Sequence, residues 1–484
     1  MRNVRSQFMG LFLFLAAVVL VLSNGFVARI SAQEDEDLIL KIEPIGVVLH
    51  EVLRNYVEEP DTDKLVEGAL TGMMNSLDDH SSFVSARVYK ELREETEGEF
   101  SGIGVQIKLD DDKNIVIFQP ILGSPAAKAG LMAGDIIVKI DGETTQGMSI
   151  DAAKERIRGE SGTVVTLTVF RAFEDSDKRP EFLDIPVTRG RIPMESVIES
   201  RVIDGSIGYI RVSDFKQTTA QEIARHLKDL QDKGMKSLVL DLRWNPGGLL
   251  SASQEVAQLF LKDKTLVTYT RGRKHPDGSV SEDMTLYTKG KPVLPLDFPM
   301  VVLVNEHTAS SSEIVTGALQ FHKRALIVGM KTFGKGSVQT IIPLKSPPQS
   351  ALRLTTALYY TPADVTINKH GILPDVEVPF PMEQWPAFFR QMRDSFESDP
   401  SKQHEQNHGT VTGNKLEEGM VEDVQLKRAV DILKEESVWD TLINRYHKDV
   451  KITQVAAADA PPDVAPTEPK PDQEVAAPQS GRAL

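Results

Sequence analysis

The chain has 484 residues, a net charge of −15 and no cysteine. That length holds two or three domains, and the acidic balance argues against a nucleic-acid surface. Without cysteine, thiol catalysis, disulfides and thiolate zinc sites are excluded.

Arg2 and Arg5 precede an apolar run over residues 8–22 that continues weakly to Val27, and Ile30-Ser31-Ala32 offers small residues for cleavage. A basic start, a long apolar stretch and a small-residue site read as a secretory signal in residues 1–32. The run is nearly long enough to cross a bilayer, so an uncleaved anchor through residues 8–27 stays open. Either form places the rest of the chain outside the cytoplasm. An acidic linker (33–38) leads into residues 33–98, where Ile45, Val48, Leu49, Val52 and Leu53, then Leu65, Ala69, Leu70, Met73 and Met74, recur at helical spacing. Asp78, Asp79 and His80 read as a turn rather than a metal site.

Over residues 99–175 the period changes. SGIGVQIKL and NIVIFQPI alternate like strands across the turn DDDKN; IIVKIDG, helical DAAKERIRG and VVTLTVF follow. This compact β-rich module, with Gly102-Ile103-Gly104-Val105 before one strand and GLMAGD before another, closely resembles a PDZ domain. The resemblance implies that the Gly-x-Gly loop offers backbone N–H groups to a peptide's terminal carboxylate while the peptide adds as a strand. Glycine is needed there because the backbone must approach the ligand with no side chain between.

The region 176–381 reads as repeated strand–loop–helix units. GYIRVSDF alternates as a strand before the amphipathic TTAQEIARHLKDL; buried SLVLDL ends in Arg243-Trp244-Asn245-Pro246-Gly247-Gly248 before a second helix. Met300–Val304, an apolar-periodic stretch from Ile314 to Phe321, and residues 325–328 form a third unit, which opens into a Gly-rich loop carrying Lys335. Parallel βαβ units send all their post-strand loops to one carboxyl edge, so the hydroxyls of Ser310–Ser312, the Lys335 amine and the Gly247-Gly248 turn are predicted to meet there. Residues 262–296 are polar and turn-rich and carry no assignment. TIIPL and LRLTTALYY alternate again; residues 382–454 read as helical with a polar break at 397–420, and 455–484 as a disordered tail.

A serine hydroxyl needs a base, and lysine serves only when neutral. With a reference pKa of about 10.4, roughly one lysine in 2,500 is neutral at pH 7, so burial must supply about 4 kcal/mol of bias toward the free amine. Lys335 lies between two glycines beside an apolar strand, a setting that permits such burial. An oxyanion also needs fixed donors; the amide after the nucleophile and the glycine turn are available. Taken alone, Ser310-x-x-Glu313 is a helix capping box and Lys335 a solvated loop charge. Gly329-x-x-x-x-Gly334-Lys335 approaches a phosphate-binding loop, but Gly336 stands where Ser or Thr is needed and a strand follows. His404-Glu405-x-x-His408 has zinc-peptidase spacing without an apolar helix face.

GYIRVSDF, DLRWNPGG, TASSSEIVTGALQ and TFGKGSVQ together resemble the carboxy-terminal processing peptidases, tail-specific serine proteases that join a PDZ domain to a serine–lysine core. The resemblance runs from the amino terminus to about residue 380. It implies a multidomain α+β protein: an N-terminal helical region, the PDZ domain, an α/β core of ClpP/crotonase-like type, and C-terminal helices. Within the three serines it selects Ser310 as nucleophile, with Lys335 as general base, Gln339 orienting the lysine, and Gly247, Gly248 and the Ser311 amide as oxyanion hole. Thr308 and Ser311 stand where the family often has Ser and Ala. No cofactor or metal is implied. The expected substrates are proteins with apolar carboxyl ends, the expected location the periplasm or its inner membrane, with a homo-oligomer and an activating adaptor as expected partners. A non-catalytic PDZ scaffold and a nucleotide-dependent enzyme are the alternative readings.

Overall fold

The computed structural model describes residues 40–110, 112–121, 123–172, 179–275, 283–385, 387, 388, 391, 421–435 and 443. The signal segment, His404, His408 and the tail from 455 lie outside the described residues. Among those described, no helix is long and apolar enough to cross a membrane.

The amino-terminal region holds helices α1 (residues 40–55), α2 (Thr62–Asn75) and α3 (Ala86–Glu97), with a short strand β1 (Ser82–Val84) between the last two. Asp61 caps α2 through the Asp63 and Lys64 N–H groups. The Asp78 carboxylate accepts the N–H groups of His80 (2.7 Å) and Ser81 (2.8 Å), which makes the LDDHS segment a side-chain-closed turn.

Strands β2 (Glu99–Gly102), β3 (Val105–Leu109), β4 (Ile115–Pro120), β5 (Ile136–Ile140), β6 (Glu143–Thr144), β7 (Val164–Arg171), β8 (Glu181–Thr188) and β9 (Gly190–Pro193) follow, with helices α4 (Pro125–Lys128) and α5 (Ile150–Ile157). β3-β4-β5-β7-β8 form one antiparallel sheet, with β3 at its edge, and β2 pairs with β9. Alternate residues of β4, β5 and β7 (Ile115, Ile117, Ile137, Val165, Leu167, Val169) pack against Ala153 and Ile157 of α5. β8 pairs with β7 along its whole length, so this sheet runs on to Thr188, past the boundary at 175 expected from the sequence. Its alternation is interrupted by Pro186, which an edge strand tolerates.

The core is a six-stranded sheet in the order β10-β11-β12-β15-β16-β19: β10 (Val197–Ile203), β11 (Ile207–Val212), β12 (Ser237–Asp241), β15 (Met300–Val304), β16 (Leu326–Gly329) and β19 (Val376–Glu377). From β11 onward every pairing is parallel. Such strands are covered on both faces, which is why they read as unbroken apolar runs. Helices α6 (Thr219–Asp232), α7 (Leu250–Gln258) and α8 (Ser311–Phe321) cover the face of Leu238, Leu240, Val302 and Ile327. The opposite face (Val239, Val301, Leu303, Val328) is covered by α9 (Val424–Lys434) through Leu426, Ala429, Val430 and Leu433, an i, i+3, i+4, i+7 stripe. The unassigned stretch 262–296 supplies β13 (Leu266–Gly272) and β14 (Thr285–Tyr287). With β1, β17 (Ser337–Pro343) and β18 (Ala351–Tyr360) they make a second, antiparallel sheet.

Candidate active site

Three loops leave the carboxyl ends of β12, β15 and β16 and meet. The turn after β15 puts Ser310 at the N-cap of α8 with φ 56° and ψ −120°. A non-glycine residue there is strained, and a sharp strand-to-helix turn is one way to hold a nucleophile outward. Ser310 and Glu313 occupy the two positions of a capping box, of which the carboxylate half is made. The Glu313 carboxylate accepts the Ser310 N–H at 2.9 Å, while the Glu313 N–H goes to the Ser310 carbonyl and the hydroxyl makes no cap hydrogen bond. The neighbouring serines are spent differently. Ser311 Oγ donates to the carbonyls of Gly248 (2.9 Å) and Leu249 (3.0 Å), and Ser312 Oγ donates to that of Asn245 (3.1 Å). Both residues are at most 1 % exposed, whereas Ser310 is half-buried.

The loop after β12 lies directly against this turn. A Cβ at Gly247 would stand 2.7 Å from both the Ala309 carbonyl oxygen and Ser310 Cβ, so only glycine fits. The Gly247 N–H is committed to Asn245 Oδ1 at 2.9 Å. A bridge to Phe215 uses the Gly247 carbonyl and the Leu249 N–H, and so leaves the Gly248 N–H unspent on it. Ser311 is the first residue of α8, where a helix leaves its N–H without an internal acceptor. The bridge to Phe215 and the start of α8 thus leave the N–H groups of Gly248 and Ser311 outside the bonds that fix these two loops.

The loop after β16 brings in Lys335, half-buried. Burial, and then the like charge of Arg353, hold its amine below the ordinary lysine range, with Glu313 pulling the other way. Glu313 joins this loop to the Ser310 turn: besides Ser310 N–H it accepts Thr332 Oγ1 (2.6 Å), Gly334 N–H (2.7 Å) and Lys335 N–H (2.9 Å). Burial pushes the Glu313 carboxyl up, against those four hydrogen bonds. The Tyr359 hydroxyl, from β18, donates to the Lys335 carbonyl and lies 3.2 Å from that of Ser310. Beyond Lys335 the chain enters the strand β17, not the helix a phosphate-binding loop requires.

The peptidase family S41 model matches residues 206–378, which span these three loops, and a PDZ domain model matches 116–171. A carboxy-terminal-processing protease of Bartonella bacilliformis is 38% identical over 429 residues, covering 87% of this chain and 94% of its own length. The chain belongs to the carboxy-terminal-processing protease family. Its relative CtpA of Bacillus subtilis is 36% identical, over 70% of each chain. The solved photosystem II D1 C-terminal processing protease is 30% identical with a TM-score of 0.38, covering 69% of this chain and 86% of that one.

As a member of the carboxy-terminal-processing proteases, the protein is a serine-type peptidase with a PDZ domain. The Gln339 amide donates to Ser337 Oγ (2.9 Å) and Thr355 Oγ1 (3.3 Å), rather than to a group of Lys335. Thr355 in turn is held by Ser81 and Asp78 of the amino-terminal region. Gly102–Val105 sit apart from the three loops, in the PDZ unit, where Ile103 is buried in its core. Sequence reasoning found Glu313 only as a cap; its spacing from Ser310 was visible, but its three bonds to residues 332–335 depend on the chain crossing back through β16. In Glu313→Gln, an NH₂ must face two N–H donors in one of its two positions. Cleavage is expected to fall at least ~10-fold, the equivalent of one lost buried hydrogen bond. An unchanged kcat in a folded variant would show that the two loops hold their places without it.

Proposed function

We propose that this protease is exported and cleaves proteins near their carboxyl ends with Ser310 as nucleophile and Lys335 as general base. The observation that supports it best is the division of labour among the three serines: Ser311 and Ser312 are spent on carbonyls of the glycine loop, and Ser310 is not. Ser310 Oγ attacks the peptide carbonyl as Lys335 takes its proton, the amine returns that proton to the leaving nitrogen, and water then hydrolyses the acyl-enzyme. The Gly248 and Ser311 N–H groups receive the oxyanion, and Gly247 keeps the loop close enough for them to do so. Gln339, as the family resemblance implies, orients the lysine once its amide leaves Ser337 and Thr355. β3 is an edge strand beside α5, so a peptide's carboxyl end can add to it with Gly102–Val105 around the carboxylate, and this PDZ occupancy gates the site. Export rests on Arg2, Arg5 and the apolar run 8–22, which would leave the enzyme in the periplasm or tethered to its inner membrane, whereas a homo-oligomer and an adaptor follow from the family resemblance alone.

The test is the pH dependence of kcat on an unfolded protein with an apolar carboxyl end, with EDTA present and no nucleotide. The active amine is neutral, so kcat rises with pH through the Lys335 pKa, which lies below the usual 10.5. Arg353→Gln removes the like charge, raises that pKa and is expected to move the rising limb to higher pH. A profile flat from about pH 5 to 9 would remove lysine as the base. A limb that Arg353→Gln leaves in place would assign it to another group.

A further inference from the structure

The loop that presents Gly247 and Gly248 is gripped from outside the sheet by a segment far along the chain. Arg243, only 4 % exposed, spends all five guanidinium N–H groups: Nε and Nη2 on Asp241, Nη1 and Nη2 on Asp423 (2.8 Å each), and Nη1 on Gln425 Oε1 (3.1 Å). A planar fork with every donor engaged cannot turn without breaking a bond. Asp423 is itself fixed as the N-cap of α9, accepting the Leu426 N–H at 3.0 Å, and Gln425 is tied to the Val378 carbonyl at 2.8 Å.

The next residue, Trp244, adopts φ 64°, a conformation an aromatic residue holds only where its surroundings impose it. Its ring stacks on His307 (3.8 Å between centroids) and meets Trp385 edge-on at 5.1 Å, in a cluster with Val421 and Val424. Two residues further than Arg243, Asn245 hands the same loop to the nucleophile turn, its carbonyl accepting Ala309 N–H at 3.0 Å. A strained turn held on one side by Ser310's neighbours and on the other by Trp385, Val421, Asp423 and Gln425 is where a small slip moves the Gly248 N–H. The matched family region ends at residue 378, before Asp423.

We propose that Asp423, acting through Arg243, is a positioning residue for the oxyanion loop, so that α9 and its cap are part of the catalytic apparatus. The proposal rests on reading Gly248 N–H as an oxyanion donor. Asp423→Asn in the full chain is the decisive variant, because asparagine caps a helix as well as aspartate does but cannot form the ion pair. Misplacing donors lowers the rate of the chemical step and spares ground-state binding. The expected result is a kcat ~10 to 100-fold lower with KM within about twofold, short of the 10² to 10³ that follows removal of a donor. A peptide aldehyde, which forms an oxyanion on the serine, is expected to weaken by the same factor, and Asp423→Glu to regain most of the loss.

Full kcat in folded Asp423→Asn, or a loss confined to KM, overturns the proposal. If that variant does not fold, Arg243→Lys takes its place, since it keeps the charge and loses the fork; full kcat there overturns the proposal as well. Ser310→Ala run alongside separates the two levels. Cleavage surviving in Ser310→Ala refutes the nucleophile assignment, whereas an inactive Ser310→Ala with a fully active Asp423→Asn refutes only the role of Asp423.

Discussion

Ser310→Ala and Lys335→Met are each expected to lower cleavage by at least ~10³-fold, and the double variant by no more than the worse of the two. A nucleophile and its base act in one step, so their losses do not add, and general-base catalysis by itself contributes about 10² to 10⁴. The stability of Lys335→Met is the more telling readout. Burial and Arg353 depress the Lys335 pKa, so the folded state disfavours the proton that the unfolded chain carries. That penalty is fully present below the folded pKa and vanishes above the unfolded value. At neutral pH, Lys335→Met is therefore expected to be inactive and no less stable than the parent, measured by thermal unfolding. If the amine were instead a solvated loop charge, the same variant would keep most of its activity. A variant both inactive and strongly destabilised would mean that Lys335 holds the fold. The network around Glu313 does not suggest that, because it takes the Lys335 backbone N–H, which methionine keeps.

The parallel strands were legible because burial on both faces writes itself as an unbroken apolar run: SLVLD and MVVLV are wholly buried in the sheet. Once those runs alternate with helices, topology alone brings the loops after β12, β15 and β16 to one edge. β13 and β14 were not legible. β13 pairs with β18, some ninety residues on in the chain, and a strand such as LVTYTRG carries no mark of it. The three serines show the same limit at the scale of one turn. Nothing in Ser-Ser-Ser says which hydroxyls will find carbonyls at Asn245, Gly248 and Leu249, because those acceptors lie more than sixty residues earlier. Arg243 and Asp423, 180 residues apart, were likewise beyond any reading by local spacing. Composition and period revealed the frame, while the commitments of individual polar groups depended on contacts between distant segments.

Gly248→Ala is expected to lower kcat by ~10² to 10³-fold, the loss that follows removal of an oxyanion donor. Two effects act on that position. Its φ of 150° is unfavourable for any residue with a side chain, and the added Cβ would collide with the Phe215 carbonyl and backbone. The bridge through which Phe215 N–H and Leu249 N–H fix the loop must then open, carrying the Gly248 N–H away from Ser310. Gly290→Ala separates strain from collision: it also has positive φ, at 98°, but a Cβ there meets nothing within 4 Å. That control is expected to lose stability, by roughly 1 kcal/mol or more, and to keep its kcat. Gly247→Ala, whose Cβ would press on Ser310 itself, is expected to match Gly248→Ala in kcat. Should both loop variants fold and cleave at the parent rate, the oxyanion would have to be received elsewhere, and the close approach of the two loops would be a matter of packing.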